Sequence, residues 1–220
     1  MLADVRRDAA AGRTTAWASS TVEDEHVGGP VVPRDVVDAL HRAADLPHRY
    51  PIGNAGLLHV YGYWFSDVTT PFGSKRDRWV QGELAAALGL PHDAFLLAHP
   101  SGTTLLERVT RAVDPLLGVR PPSTSRGDAP RGPDDRGPDD RATRRPDVRT
   151  ADAWVDGVLT RAVTYRAPGA RATALVHGLD DGHGMRLVTT FPVDGDARAL
   201  LAEFAAEPRL RWNAVVLAQP

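Results

Sequence analysis

The chain has 220 residues, of which 42% are hydrophobic, and this is enough for one ordinary domain with a sizeable core. Its formal charge of -2 gives no overall field that draws a protein onto nucleic acid or anionic lipid, so any site for a polyanion has to be local. The absence of cysteine excludes disulfides, thiolate nucleophiles and cysteine-ligated zinc. There is no apolar run of membrane-spanning length and no signal-peptide core at the start, so we expect a soluble, cytoplasmic protein with no membrane partner.

The N-terminal part of the sequence divides into an arm and a folded segment. Residues 1–29 show no periodic apolar pattern and predict a loose arm. The segment 30–118 is predicted to be an α/β unit. Within it, apolar residues at helical spacing predict a helix from residue 33, and the aromatic run 55–65 favours a buried strand.

Two further helices and a linker complete this half of the chain. A helix is expected to begin near Ser74 and to end at Gly89, because its apolar residues lie on one face. Another is predicted from residue 103, where Thr104 and Glu107 have the spacing of a capping box. Residues 119–150, rich in Arg, Asp and Pro, contain almost no apolar side chains and are predicted to form a disordered linker.

The last segment, 151–220, is predicted to contain a ββαβ core. Its pattern indicates a helix, three strands, a helix and a final strand, over 151–162, 163–166, 171–178, 185–192, 196–206 and 209–218. The short spacing makes 171–192 an antiparallel hairpin. The predicted fold class is therefore α+β, with a mixed or mainly antiparallel sheet packed by several helices, and with the linker inserted between two folded segments that together complete one compact domain.

The first candidate site is the turn that leads into the helix near Ser74. Lys75 and Arg76 fall in the first turn of this predicted helix, where the helix dipole is already positive, and Arg78 follows. A phosphate or carboxylate bound there would balance these charges. The alternative is that they cover Trp79 or pair with nearby carboxylates.

Lys75 has a further distinction in composition. Of the 26 lysine and arginine residues, only Lys75 is a lysine, in a composition typical of a GC-rich genome such as that of an actinobacterium. A compact amine that can lose its proton is one reason for a protein to keep lysine where its coding bias favours arginine.

The second candidate site is one face of the C-terminal sheet. Strand alternation with Leu187 and Phe191 pointing inward predicts a polar outer face. That face would carry Thr173, His177, Arg186, Thr190, Arg211 and Asn213. A histidine beside arginines can accept a proton while the arginines bind an anion, so His177 and Thr190, together with Lys75, are the predicted catalytic residues. The alternative is an ordinary solvated sheet face.

The third candidate site is the aromatic run, in which His59, Tyr61 and Tyr63 share one side if the run is a strand. Such a row can line a pocket for substrate, although it is more often part of the core. No histidine and carboxylate spacing matches a metal motif, His183 included, and the common nucleotide and hydrolase motifs are absent. We therefore expect neither a metal nor a cofactor.

These features favour an enzyme that acts on a small metabolite bearing phosphate or carboxylate, by acid–base rather than redox chemistry, in specialised metabolism. A ribonuclease is the second hypothesis, with His177 as base and Arg186 and Arg211 on the phosphate, although the acidic net charge counts against RNA. The hairpin with His177 and residues 187–192 resembles the terminal sheet of small bacterial ribonuclease toxins, but no residue role follows from this resemblance. The third hypothesis is a non-catalytic binding or partner protein.

Overall fold

The computed structural model describes residues 1–119, 145–194 and 196–217. The helices of the N-terminal half are α1 (Leu2–Ala10), α2 (Arg34–Ala44), α3 (Asp77–Val80), α4 (Glu83–Ala87) and α5 (Leu105–Leu117). Its short strands are β1 (Ser19–Thr21), β2 (Glu23–Asp24), β3 (Gly29–Pro30), β4 (Ile52–Asn54), β5 (Thr69–Thr70) and β6 (Gly73–Ser74). These strands form three antiparallel ladders, in which β1 pairs with β4, β2 with β3, and β5 with β6.

A four-stranded antiparallel sheet dominates the C-terminal half. It consists of β7 (Asp147–Val155), β8 (Val158–Arg166), β9 (Thr173–Asp180) and β10 (Met185–Val193), and helix α6 (Ala197–Ala206) follows it. The strand order is β10-β9-β8-β7, so each strand pairs with its neighbour in sequence. The predicted α+β class, with an antiparallel sheet packed by helices, is confirmed.

The predicted linker over 119–150 lies mostly outside the described residues, because the structure does not describe 120–144. Its C-terminal end was wrongly placed. Residues 147–150 already pair with β8, so the folded segment begins before residue 151.

Three predicted helices and one predicted hairpin are confirmed as α2, α5, α6 and the β9–β10 pair. At the start of α5, the Thr104 hydroxyl accepts a hydrogen bond of 3.1 Å from the backbone N–H of Glu107, as the capping spacing predicted. Local sequence signals were strong enough to define these elements.

The helix predicted over 151–162 is wrong, because this stretch is the β7–β8 hairpin. The two strands are joined at Asp156 and Gly157, which both have positive φ angles, 50° and 82°. An Asp-Gly pair supplies the left-handed conformations that tight hairpin turns need, and this turn signal outweighs the helical spacing of the flanking apolar residues.

The strand predicted over 55–65 is also wrong. This stretch forms a π-helical turn at Leu57–Tyr61 and a 3₁₀ turn at Gly62–Phe65. The side chain of Asn54 accepts a hydrogen bond of 3.2 Å from the backbone N–H of Leu57, which satisfies one of the free donors at the start of the helical segment. Local capping and burial therefore override the β preference of the aromatic side chains.

Two other elements differ from the prediction. The single helix expected from Ser74 is divided into α3 and α4, because Gly82 has a left-handed φ of 68° between them. The final strand predicted over 209–218 is irregular as far as residue 217, since Trp212 and Asn213 have left-handed φ angles of 54° and 70°. Ala214 then makes an isolated bridge with Ser20.

The main sheet is covered on both faces. Helices α4 and α5 pack on the face that carries Val163, Val176 and Leu187. Helix α6 packs on the opposite face, against Leu175 and Phe191. The prediction of a polar, solvated sheet face is therefore wrong, because α6 and the segment after it cover that face.

A β-bulge in β10 changes which side chains point to each face of the main sheet. Leu187 pairs with Gly178 but Thr189 pairs with His177, so Val188 is an extra residue in this strand. Because one inserted residue reverses the alternation, Leu187 and Phe191 lie on opposite faces, and Thr189 replaces Thr190 on the face of His177.

The predicted loose arm over 1–29 is wrong, since α1 is anchored by a buried carboxylate. Asp8 accepts a 2.6 Å hydrogen bond from the Tyr61 hydroxyl and a short one from the Thr104 hydroxyl. Arg13 lies 3.4 Å away. A polar anchor produces no apolar periodicity, which explains why no helix was predicted here.

We expect Asp8→Val to lower the free energy of unfolding by about 2–4 kcal/mol, because two buried hydroxyls lose their acceptor. The control is Asp4→Ala on the same helix, whose partner Arg7 is exposed, and its effect should stay within about 0.5 kcal/mol. Urea unfolding measures both. Equal effects of the two substitutions would contradict the anchor.

Candidate functional site

A narrow cavity forms where the β5–β6 turn and α3 meet the β2 segment, strand β10 and the chain after α6. Its polar lining includes Asp24, Tyr63, Lys75, Arg78, Thr189 and Asn213, and aromatic side chains of Phe72, Phe191 and Trp212 complete the wall. The cavity volume is about 20 Å³, which is room for about one water molecule. Polar groups from distant parts of the chain thus converge on a space the size of one small group.

Lys75 is held in this wall by an ion pair. Its ammonium lies 2.7 Å from an Asp24 carboxylate oxygen, and both side chains are only 5% exposed. The same nitrogen is 5.0 Å from the centroid of the Tyr63 ring, within cation–π range. Burial and the positive charge of Arg78 lower the pKa of Lys75 to about 8, although Asp24 acts in the opposite direction.

Asp24 remains ionised in this pair. Burial alone would raise the pKa of its carboxyl, but the hydrogen bond and charge of Lys75 outweigh burial and bring the pKa below its ordinary value. Asp24 also accepts a 3.0 Å hydrogen bond from the backbone N–H of His26. The carboxylate therefore holds both Lys75 and the local turn.

Arg78 is a second buried cation in the same wall, with 5% of its surface exposed. One terminal nitrogen donates to the Thr70 hydroxyl at 3.3 Å, and the guanidinium lies 4.7 Å from the Phe191 ring centroid. Its Nε has no hydrogen-bond partner, and within the described residues no carboxylate lies within ion-pair distance of it. Burial lowers the pKa of Arg78, but a guanidinium remains protonated in proteins.

Residues from all three predicted sites line the cavity. Lys75 and Arg78 come from the turn, Tyr63 from the aromatic run, and Asn213 from the C-terminal segment. Asn213 is fixed by a 3.1 Å hydrogen bond from its side-chain N–H to the carbonyl of Thr21. The structure thus brings together groups that the sequence placed in separate elements.

The prediction that Lys75 and Arg76 fall in the first turn of a helix is wrong. Helix α3 is a single turn that begins at Asp77, after Lys75 and Arg76 rather than around them. The Ser74 hydroxyl accepts a hydrogen bond of 3.3 Å from the Asp77 N–H, and Arg76 is exposed. The positive charge in the site therefore comes from buried side chains, and neither Ser74 nor Arg76 lines the cavity.

The aromatic run contributes only Tyr63 to the cavity. Because the run is helical, side chains two residues apart diverge, and Tyr61 instead bonds Asp8. His59, four residues before Tyr63, stacks on its ring at a centroid distance of 4.8 Å and lies 2.7 Å from the Ser20 hydroxyl. Burial, followed by the charges of Lys75 and Arg78, holds the pKa of His59 well below its ordinary value.

The two predicted arginines of the sheet face have structural partners. Arg186 forms a two-point ion pair with Asp181. Arg211 donates to a Glu203 carboxylate oxygen at 2.8 Å and to backbone carbonyls at the C-terminal end of α6. Neither lines the cavity, so the cation pair that the ribonuclease hypothesis required is not assembled.

His177 lies inside an aromatic cluster. Its ring centroid is 4.9 Å from that of Trp212 and 5.9 Å from that of Phe204. Neither ring nitrogen has a hydrogen-bond partner among the described residues, and burial, with a smaller effect of Arg211, lowers the pKa of His177 to about 3. The Thr190 hydroxyl is likewise buried without a partner, on the opposite face of β10. Neither lines the cavity.

Sequence reasoning missed Asp24, Thr189 and Trp212. Asp24 lies in the segment taken for a loose arm, and Thr189 faces the cavity only because of the bulge. Trp212 adopts a left-handed backbone conformation that is strained for a bulky side chain, and such strain concentrates at functional sites. None of these features leaves a local signature in the sequence.

Comparison with protein-family models, with curated proteins and with solved structures gives no match for this chain. Over the described residues, no cluster of three His, Asp or Glu side chains is arranged to hold a metal ion. No helix in the same parts of the chain combines the length and apolar character of a membrane span. The cavity is therefore the feature of the described chain that bears on its function.

Buried neutral histidines predict that the protein loses stability in acid. Burial lowers the pKa of His41 to about 4 and that of His177 to about 3. Both values lie below the unfolded value of about 6.5, so unfolding takes up protons and the free energy of unfolding falls as pH decreases from about 6.5 towards 4. Each histidine contributes a slope of about 1.4 kcal/mol per pH unit. Urea unfolding at a series of pH values measures this slope.

The same two histidines give a matched pair of variants. His41 donates from Nδ1 to the Val37 carbonyl and accepts from the Asn54 N–H, both at 2.9 Å, whereas His177 has no such partners. Above pH 7, His41→Leu should lower the free energy of unfolding by about 2 kcal/mol or more, and His177→Leu should leave it unchanged or raise it. Both variants should flatten the acid slope. A strongly destabilised His177→Leu would contradict a purely packed role.

Proposed function

We propose that this protein binds a small molecule through a carboxylate or phosphate group at the cavity of Lys75 and Arg78, and performs acid–base chemistry on it. The observation that carries the proposal is the charge count of the cavity wall. Two cations are buried there, and of the two carboxylates in the lining, Asp24 already pairs with Lys75, while Glu25 is half-exposed and pairs with Arg209. An anion that enters the cavity would supply the missing negative charge.

The cost of the unpaired guanidinium supports a ligand. Removing an ion from water costs several kcal/mol in real proteins unless a counter-charge and hydrogen bonds replace the water. Arg78 has only the neutral Thr70 hydroxyl and the Phe191 ring as compensation among the described residues. The planar guanidinium suits a carboxylate or phosphate, to which it can donate two parallel hydrogen bonds.

The dimensions indicate which part of the ligand enters. The cavity of about 20 Å³ has room for about one oxygen atom of a carboxylate or phosphate. It adjoins an open groove of about 460 Å³, whose wall shares Asp24, Glu25, Trp212 and Asn213 with it. We therefore assign one oxygen of the anionic group to the cavity, the adjoining atoms of the ligand to the cavity mouth beside Lys75, and the rest of the ligand to the groove.

Lys75 is the group that can move a proton. With a pKa of about 8, its ammonium releases a proton within the physiological range, and the ionised Asp24 carboxylate 2.7 Å away can carry that proton transiently during transfer. A bound anion beside Arg78 would raise the pKa of Lys75 again, because it neutralises the charge that lowers it. Ligand binding and the protonation of Lys75 are therefore coupled.

The test is thermal unfolding with oxalate, or inorganic phosphate, as the anion probe. Binding at a hundredfold excess over Kd should stabilise the protein by about 2.7 kcal/mol, or about 5–10 °C in Tm for a chain of this size. Neutral oxamide, of nearly the same shape, and sodium chloride at matched ionic strength serve as controls and should give no comparable rise.

Arg78→Met and Arg76→Met make the matched pair of variants. Arg78→Met should abolish the oxalate response and leave Tm in anion-free buffer unchanged or higher, because it removes a buried unpaired charge. The exposed Arg76 lies two residues away, and Arg76→Met should behave as the wild type. If the wild type shows no anion response, or both variants respond equally, the proposed site is wrong.

A further inference from the structure

The cavity wall combines an amine, an acid and an anion-binding cation in one small space. Lys75 and Arg78 both line the same cavity of about 20 Å³, and an Asp24 carboxylate oxygen lies 2.7 Å from Lys75 Nζ. A carboxylate bound at Arg78 would therefore carry its neighbouring atoms towards Lys75. In a 2-oxo acid, the atom next to the carboxylate is an electrophilic carbonyl carbon.

The amine of Lys75 can act as a nucleophile, which an arginine at this position could not do. The chain has only one lysine among its 26 lysine and arginine residues, and this lysine lies in the cavity. A guanidinium would pair with Asp24 at least as well, since it can form two parallel hydrogen bonds, so charge pairing alone does not require lysine. Nucleophilic attack on a carbonyl does require it, because only the amine can become neutral near physiological pH.

The surroundings of Lys75 suit both the attack by the neutral amine and the positive charge that returns to its nitrogen afterwards. Before a substrate binds, burial and the nearby charge of Arg78 lower the pKa of Lys75 to about 8, so a fraction of the protein holds the free amine near neutral pH and can take up the substrate in that form. Asp24 and the face of the Tyr63 ring, 5.0 Å from Nζ, are placed to stabilise a positive charge once it forms again on this nitrogen.

We propose that Lys75 condenses with the carbonyl carbon of a 2-oxo acid whose carboxylate is held by Arg78, to form a protonated imine. This inference rests on the proposed function, because it uses the same anion site and specifies the substrate class.

The atoms and charges of the step balance without a further reactant. Asp24 accepts a proton from the Lys75 ammonium, and the neutral nitrogen forms a bond to the carbonyl carbon. The resulting carbinolamine oxygen receives protons from the nitrogen and from Asp24, its bond to carbon breaks, and water leaves. The nitrogen keeps the single positive charge that Lys75 carried at the start, and Asp24 is again a carboxylate.

The test is reductive trapping with pyruvate and cyanoborohydride, followed by intact mass and peptide mapping. The α-amino group of Met1 provides an internal reference, since it is an amine outside the cavity. We expect the wild-type protein to be trapped at Lys75 at least tenfold faster than at Met1, although the side chain of Lys75 is only 5% exposed. Acetone, which has the carbonyl but no carboxylate, should show no preference for Lys75.

Two variants complete the design. Lys75→Arg should restrict trapping to Met1, and its circular dichroism spectrum checks that it remains folded. Arg78→Met should keep the amine but reduce trapping by pyruvate at least tenfold. Trapping at Lys75 no faster than at Met1 would overturn the imine proposal even where oxalate still raises Tm, and the absence of an oxalate response as well would overturn the anion site with it.

Discussion

Two positive side chains and one carboxylate are buried around a single small cavity, and the remaining features of the site follow from this imbalance. Asp24 stabilises Lys75 at 2.7 Å and remains ionised in doing so. Arg78 is left with a hydroxyl and an aromatic ring as its neighbours. A protein selected for stability alone would place an apolar residue there, because a buried cation without a counter-ion is costly. A negatively charged ligand would supply the missing counter-charge and would explain why Arg78 is buried here.

The fold makes this cavity from parts that are far apart in sequence. Asp24 belongs to a two-residue strand near the N-terminus, and Arg78 lies in the single turn of α3. The bulge in β10 turns Thr189 towards the cavity, and the left-handed Trp212 and Asn213 close it from the C-terminal side. Each of these is an irregular feature attached to a regular sheet, which is the usual division between a rigid scaffold and a functional site.

The sequence predicted those parts of the fold that depend on local signals. Helix α5 was recognisable from Thr104 and its apolar face, and the β9–β10 hairpin from its turn residues. The β7–β8 hairpin was missed although Asp156-Gly157 is a strong turn signal. Helix α1 was missed because its anchor, Asp8, is polar and finds its partners only in the tertiary structure. Similarly, composition identified Lys75, whereas nothing local connected it to Asp24.

Two buried ionisable groups can have very different surroundings, as the comparison of Lys75 with His177 shows. Both are ionisable and buried, and both have a lowered pKa, with desolvation as the largest cause. His177 is enclosed by Trp212 and Phe204, and no polar group among the described residues is placed to exchange a proton with its ring. Lys75 has a carboxylate oxygen at 2.7 Å and a share of the cavity wall. The proposed acid–base chemistry depends on both, because it needs a group that exchanges a proton with the amine and a space in which a ligand can approach it. His177 has neither of them among the described residues.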